Sequence, residues 1–491
     1  MSDDLKSKTL SNMAWRFAER VGAQGVKFLV SLVLARLLMP DDYGTIALIT
    51  VFITILNVFV DSGLGNALIQ KKDADDLDFS TVFIFNCLLC VLLYMGMFFA
   101  SPVIARFYKN ESLTPVIRCL SLTIVISGVK NVQQAYVSKK LIFKKFFFAT
   151  LIGTIGAAVL GIWMAYKGFG VWALVGQQLF NTAVDTIVLW ITVKWRPKLM
   201  FSVKRLKELF SYGIKLLISS LVDTIYKDIR QLIIGKVYSP ADLGFYNKGL
   251  EFPKFISSNI NNSIDSVLFP VLSEVQKDVN KVKAMVRRSI KISSYLMWPF
   301  MFGLAATGKT LIPLLLTEKW NNAVPFLYFF CFTEGFIPIT TANLNAIKAL
   351  GRSDYIMKME IIKKSIGLVL VCTSIPFGLY AIAASSVVYT IIAVYINAFP
   401  NKKLLNYSFF DMIKDIFPSF GMSILMFIPV FLLNYLPVAS VLRVIIQIAV
   451  GVMVYYLLSK FLKNESWNYL ISIFKDFVTK KKITNKESEN K

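Results

Sequence analysis

Fourteen apolar segments of membrane-spanning length, joined by connections of roughly 20 residues or fewer, leave this chain no room for a soluble domain. They read as residues 11–39, 43–70, 79–105, 113–138, 147–167, 169–193, 211–237, 243–274, 289–317, 322–349, 355–377, 378–400, 411–436 and 438–462. A span of this kind must satisfy its own backbone polar groups, and repeated apolar runs of helical length do so as helices. The class expected is therefore all-α, a polytopic membrane protein of about 14 transmembrane helices. The apolar share of 56%, the 40 Phe and a mean hydropathy of +0.59 agree with that class.

The connections are sharply asymmetric in charge. Counting alternate ones, those at 71–78, 139–145, 194–207, 277–291, 348–364 and 402–414 hold 26 Lys and Arg, and those on the opposite side hold 5. The basic side is the cytoplasmic one, so both termini are expected inside the cell. A missed span would reverse every later connection, so the steady bias also supports the helix count. The same bias accounts for the net charge of +24 without nucleic acid as a partner. The polar amino terminus carries no cleavable signal pattern.

A repeat organises the chain. Pro40-Asp41-Asp42-Tyr43-Gly44 returns 200 positions later as Pro240-Ala241-Asp242-Leu243-Gly244, and Pro115 has a looser counterpart in Pro325. The division expected is an N-terminal six-helix lobe (1–193), a basic cytoplasmic linker (194–210), a pseudo-symmetric C-terminal six-helix lobe (211–400), an extra helix pair (401–462) and a basic cytoplasmic tail (463–491). Duplicated units of this kind are a common plan of transporters. Phe201–Phe210 reads as a short basic amphipathic helix on the inner leaflet, and the tail, with Trp467, Tyr469, Phe474 and Phe477, as another.

Charges inside the spans mark the candidate site. Arg16, Arg20, Gln24, Lys27 and Ser31 share one helical face, and so do Lys215, Ser219, Asp223, Lys227 and Arg230 in the corresponding segment of the second half. Lys248, Glu251, Ser258, Asn259 and Asn262 follow the second turn. Isolated charges near helix ends snorkel to headgroups, which covers Arg118, Lys348, Lys363 and Lys364. A whole charged face costs about 2.5–3.5 kcal/mol per residue at a helix centre, so it points instead to a hydrated cavity. Arg16, Arg20, Gln24, Lys27, Lys215, Lys227, Arg230 and Lys248 are the expected lining, and their sign favours an anion such as a phosphate. Glu19, Asp223 and Glu251 balance that charge or serve in coupling.

Several patterns carry no chemistry. Gly303-Leu304-Ala305-Ala306-Thr307-Gly308-Lys309-Thr310 matches the phosphate-loop pattern by letter, but it lies inside a span with no soluble sheet to supply an acidic partner. ATP hydrolysis by the chain is not expected. Cys87 and Cys90 form a C-x-x-C with no His anywhere in the chain, which points to apolar packing and not to a metal. No cofactor and no catalytic residue are expected. Asp61, ahead of Gly63 and Gly65, reads as a helix-terminating turn.

The Leu-x-Pro-x-Asp-Tyr-Gly turn at 38–44, the Asp-x-Gly-Leu-Gly-x-Ala-Leu-Ile-Gln run at 61–70 and Glu318-Lys319-Trp320 together resemble the polysaccharide transporters of the multidrug/oligosaccharidyl-lipid/polysaccharide exporter superfamily, above all the O-antigen and colanic-acid type flippases. The resemblance implies two six-helix lobes in a V, a central cationic cavity and alternating access. It further implies an undecaprenyl-pyrophosphate-linked oligosaccharide as cargo, moved from the inner to the outer leaflet of a bacterial cytoplasmic membrane. A polysaccharide polymerase and a chain-length regulator are the protein partners it suggests. In a related peptidoglycan-precursor flippase the last two helices form a groove for the lipid tail. The alternatives are a drug or cation exporter, which needs an acidic aromatic cavity, a lipid-linked glycan polymerase or ligase, which needs a sizeable outer loop, and an assembly subunit without transport.

Overall fold

The computed structural model describes residues 22–61, 63–140, 142 and 144–472. Arg16, Glu19 and Arg20, with Phe474 and Phe477 of the tail, lie outside the described residues. Within them a helix, or a pair of helices meeting at a break, occupies each of the fourteen apolar segments. In order these are α1 (22–37), α2 (Pro40–Asp61) with α3 (Leu64–Gln70), α4 (Asp76–Phe107), α5 (Leu113–Leu120) with α6 (Leu122–Lys140), α7 (Lys144–Tyr166) and α8 (Val171–Thr192). The second half follows with α9 (Val203–Val237), α10 (Pro240–Glu274), α11 (Val279–Leu316), α12 (Val324–Gly335) with α13 (Ile337–Ala349), α14 (Ser353–Ser374), α15 (Leu379–Leu405), α16 (Phe409–Leu432) and α17 (Ser440–Phe461). No strand occurs among the described residues. Nine of these runs are long and apolar enough to cross a membrane, or ten with the bent α9, and α1, α8, α10 and α14 fall outside that set. The protein is an all-α polytopic membrane protein.

Side-chain caps start several of the helices. Asp75 and Ser408 form capping boxes with Asp78 and Asp411, and Ser202 and Asp278 accept from Arg205 N and Lys281 N. These four fall in the basic connections. Prolines within spans, such as Pro102, Pro299 and Pro418, leave their helices continuous. Neighbouring helices can re-satisfy the backbone groups that such prolines free.

The chain packs as two compact units, 1–245 and 246–491. This division by packing differs from the division by repeat, because α9 and the first turn of α10 fall in the first unit. In that unit α2 packs on α6, α8 and α9, α4 on α5, α6 and α9, and α7 on α8. Leu64, Leu68, Phe79, Val132 and Leu189 form its core, closed at one end by Trp195 stacked on Tyr136 at 5.9 Å. In the second unit α11 is the central post, against α12, α13, α16 and α17. Its core centres on the fully buried Trp298, whose ring meets Phe336 and Phe420 edge-on at 4.9 and 4.7 Å.

The repeated turns meet. A Cβ on Gly44 would collide with the carbonyl oxygen of Pro240, and a Cβ on Gly244 with that of Pro40. The contact is reciprocal, as two copies of one motif make across a two-fold axis, and it places both prolines at the same end of the first unit. The turns share their capping too: Asp42 accepts from Met39 N at 3.0 Å, and Asp242 from Ser239 N at 3.1 Å. Pro115 and Pro325 likewise both lie in the short first helix of a broken span, α5 before α6 and α12 before α13.

One expectation changes. The basic stretch 201–210 is not a separate surface helix. It is the beginning of α9, bent by 49° between Ser211 and Gly213. Gly213 permits the bend without ending the hydrogen-bonded run. Asp61 ends α2, as the turn ahead of Gly63 leads one to expect, and the span continues past it. Gly63 takes a φ of 69° and α3 resumes at once in the same apolar segment. The two glycines are opposed: a Cβ on Gly63 would lie 2.7 Å from Gly213 Cα, so the break and the bend pack backbone to backbone.

Candidate functional site

The basic face of α9 is built by elimination. Leu209, Gly213, Leu217 and Ile234 are buried on the side that packs against α2, α3 and α4. The stripe the helical spacing predicts lies among the residues left less covered, beside the exposed Ile218, Val222 and Ile225. Lys215 and Ser219 are exposed, Asp223 and Arg230 are half-buried, and Lys227 keeps 69% of its side chain exposed while pairing with Asp223 at 2.6 Å. On α1, Gln24 is half-buried and Lys27 exposed. A span normally cannot leave ammonium groups uncovered in hydrocarbon, so this face belongs beside water or a charged ligand. Lys215, Lys227 and Arg230 outnumber Asp223 along this stripe.

The linker before α9 is held by ion pairs. Lys198 meets Asp76 at 2.6 Å, and Arg205 reaches Asp75 and Asp78 at 3.6 Å each. Trp195 Nε1–H donates to Asp76 at 3.2 Å, while the Lys198 and Ser202 amides donate to Ser80 and Thr81 hydroxyls at 3.0 and 3.1 Å. Asp75 lies outside the spans. Its carboxyl is held below the usual carboxylate range chiefly by the Asp78 amide it caps, with Arg205 adding to the effect. The approach to α9 is thus anchored to the start of α4.

Lys248 and Glu251 occupy a different setting. Lys248 keeps only 3% of its side chain exposed, pairs with Glu251 at 2.7 Å and lies 5.8 Å from the Trp320 ring. Gly249 beside it packs against Ala323 and Phe326, where a side chain would not fit. This part of α10 is packed against the start of α12, all within the second unit.

Sequence reasoning passed over other charges inside the spans. Lys130 of α6 pairs with Asp185 of α8 at 2.9 Å, and the next residue, Asn131, donates to Asp61 at 2.7 Å. In the second unit Ser257 donates to Glu334, and Asn345 donates to Asp265 at 2.7 Å. Asp185 is the single charge of its segment. The available signal was that lone charge in one apolar run with an opposite charge in another. The phosphate-loop letters at 303–310 lie within the continuous α11, with Lys309 over the Tyr435 ring at 5.3 Å, so no loop cradles an anion there. The cysteines are free, and Cys90 is buried where a Cβ on Gly128 would strike its sulfur. Among the described residues no group of three or more His, Cys, Asp or Glu gathers as a metal site would require.

Comparison with known proteins places this geometry. Residues 33–325, well over half of the chain, match the model of the polysaccharide biosynthesis protein family. The chain belongs to that family. The matched stretch contains both Pro-x-Asp-x-Gly turns and all of α9. The chain is 22% identical over 353 residues to the succinoglycan biosynthesis transport protein ExoT of Rhizobium meliloti, covering 72% of each. It is 24% identical over 367 residues to the lipopolysaccharide biosynthesis protein WzxC of Escherichia coli, covering 73% of each. It is 26% identical over 302 residues to the teichuronic acid biosynthesis protein TuaB of Bacillus subtilis, covering 60% of this chain and 62% of that one. Its fold is similar to the lipid II flippase MurJ in an inward closed conformation, with a TM-score of 0.77 at 14% identity over 94% of this chain and 100% of that one. It is also similar to an inward-facing multidrug resistance transporter of the MATE family, with a TM-score of 0.62 at 13% identity over 78% and 96%. This family member therefore has a transporter fold.

Proposed function

We propose that the protein is a flippase that moves undecaprenyl-pyrophosphate-linked oligosaccharide units from the inner to the outer leaflet for surface polysaccharide synthesis. The observation that carries this reading is the uncovered cationic stripe of α9, lying in the stretch that matches the polysaccharide family. Relatives named for succinoglycan transport, lipopolysaccharide and teichuronic acid synthesis favour a glycan cargo, and the fold of a lipid II flippase favours a lipid-linked one. The opposite preference, for a cationic drug, would need an acidic face in place of this basic one.

In this proposal Lys215, Lys227 and Arg230, with Arg16, Arg20, Gln24 and Lys27 of the first half, replace the water that a pyrophosphate sheds on entering the span. Lys248, buried beside Trp320, stands apart from that lining. Asp223 lies 2.6 Å from Lys227 and neutralises it when cargo is absent, so the anion displaces a carboxylate on binding and is displaced by it on release. Movement proceeds by alternating access of two six-helix lobes, with fourteen spans and both termini cytoplasmic. The reaction makes and breaks no covalent bond, and a polysaccharide polymerase and a chain-length regulator act on the delivered units.

The deciding experiment is transbilayer movement of a defined lipid-linked oligosaccharide in proteoliposomes containing the purified protein. Movement above that of protein-free vesicles, reduced in Arg230→Ala, supports the reading. No movement of any pyrophosphate-linked glycan by folded protein ends it. Reporters at Arg196 and Lys491 that read outside the cell overturn the orientation.

A further inference from the structure

The middle of α10 is polar without being basic. From Ser257 to Ser266 it reads Ser-Ser-Asn-Ile-Asn-Asn-Ser-Ile-Asp-Ser, eight polar residues in ten with Asp265 the one charge. A span does not turn so many amides and hydroxyls to hydrocarbon, so this face belongs beside water or a polar ligand. Ser257, Asn261 and Asp265 follow one another at steps of four and share a face. That face is tied to α12 and α13, all within the second unit. The buried Ser257 donates to Glu334, whose cationic neighbour is Lys254. The buried Asn345 donates to Asp265 Oδ1 at 2.7 Å. Between them Asn261 Oδ1 is buried and, among the described residues, takes no hydrogen bond.

The open edge of the same face is Asn262, Asp265 and Phe269, spaced by three and four and all exposed. The neighbouring serines bond within the helix, Ser263 donating to Asn259 O at 2.9 Å and Ser266 to Ser263 O at 3.0 Å. Asp265 is held in place by the Asn345 amide and not by a cation, so its second oxygen remains an acceptor. The edge therefore presents one positioned carboxylate, one amide and one aromatic ring. Its carboxylate repels a phosphate, and a single acid among amides offers a multivalent cation too little charge. A sugar hydroxyl both donates and accepts, which an amide can answer in both directions and a carboxylate in one. An aromatic ring adds flat apolar area against which the C–H face of a pyranose can lie.

We propose that this edge of α10 recognises the sugars of the cargo, Asp265 and Asn262 bonding neighbouring hydroxyls and Phe269 lying against a ring face. The inference rests on the flippase reading and divides the work of recognition. The cations of α9 serve the pyrophosphate common to all such cargo, and the α10 edge serves the glycan that distinguishes one cargo from another. Asn345 is a positioning residue, since it fixes the carboxylate from behind without reaching the sugar.

The test is native mass spectrometry of the full-length protein with two probes, undecaprenyl pyrophosphate and the same lipid bearing an oligosaccharide of neutral hexoses. Wild type should hold the glycosylated probe roughly tenfold more tightly than the bare one. Asp265→Ala and Asn262→Ala should each weaken binding of the glycosylated probe roughly fivefold and leave the bare probe unchanged, and the double variant should bind the two alike. Equal binding of both probes by wild type overturns this inference and leaves the reading of α9 standing, whereas binding of neither overturns both. A sugar preference that survives in the double variant overturns the inference, as does an equal loss of both probes in Asp265→Ala and Asn262→Ala alike. A sodium dependence of wild-type binding that Asp265→Asn abolishes, with the sugar preference intact, would instead reveal a cation site and overturn it equally.

Discussion

Lys227 on α9 and Lys248 on α10 have the same place in the sequence pattern, each on a polar helical face with a carboxylate within one turn, and opposite places in the protein. Lys227 keeps 69% of its side chain exposed, and Lys248 keeps 3%. Their acid partners are equally close, at 2.6 and 2.7 Å. An exposed pair gains little from its contact and can exchange partners. A buried pair is committed, because losing one member strands the other in a poor solvent for charge. The stripe of α9 is therefore suited to an exchangeable ligand, and the α10 pair to holding α10 against Trp320 and Phe326.

The largest effect should come from splitting the buried pair. Lys248→Met should destabilise the purified protein by about 2–3 kcal/mol, below the full cost of a stranded charge because Glu251 keeps 31% exposure. Lys248→Met with Glu251→Leu should recover most of that loss in thermal unfolding. A single variant as stable as wild type would mean that the pair holds nothing. Next in size is transport. Arg230→Ala should lower glycan export roughly tenfold or more at unchanged abundance, with Arg230→Lys between the two because it keeps the charge and loses the planar fork. Normal export by a normally expressed Arg230→Ala protein would put α9 in the same structural class as Lys248.

Smaller still, Lys227→Ala should change stability by less than about 1 kcal/mol, as an exposed i,i+4 pair allows. A larger loss would erase the contrast. An effect of similar size should be seen at Asp75, where no cargo is involved. Asp75→Ala should cost about 1 kcal/mol at neutral pH through loss of the α4 cap. The folded-state carboxyl lies below its ordinary value, so the stabilisation is present above about pH 4 and fades as the pH falls through the folded value. The thermal stabilities of wild type and variant should therefore converge in acid.

Much of the fold was legible as pattern. Apolar length located the helical runs, because a chain in lipid must bond its own backbone. The spacing of Lys215, Asp223, Lys227 and Arg230 gave their shared face, because 3.6 residues per turn is a local property. The recurrence of Pro-x-Asp-x-Gly marked two equivalent turns, but their mutual contact through Gly44 and Gly244 needed coordinates, since nothing in either turn names its partner. The breaks were half legible. Gly63 announced a positive φ, yet whether the helix stopped or resumed depended on α9 crossing it at Gly213.

What the sequence alone determined is whatever follows from neighbours along the chain: helices, faces and a recurring turn. What only the tertiary structure decided is what each face meets. Lys130 with Asp185, Arg287 with Asp415, and Lys248 beneath Trp320 are matched across 55, 128 and 72 positions or more of chain, where periodicity carries no information. The cost of a charge in a span depends on its surroundings in space, and those are set by which helices pack together.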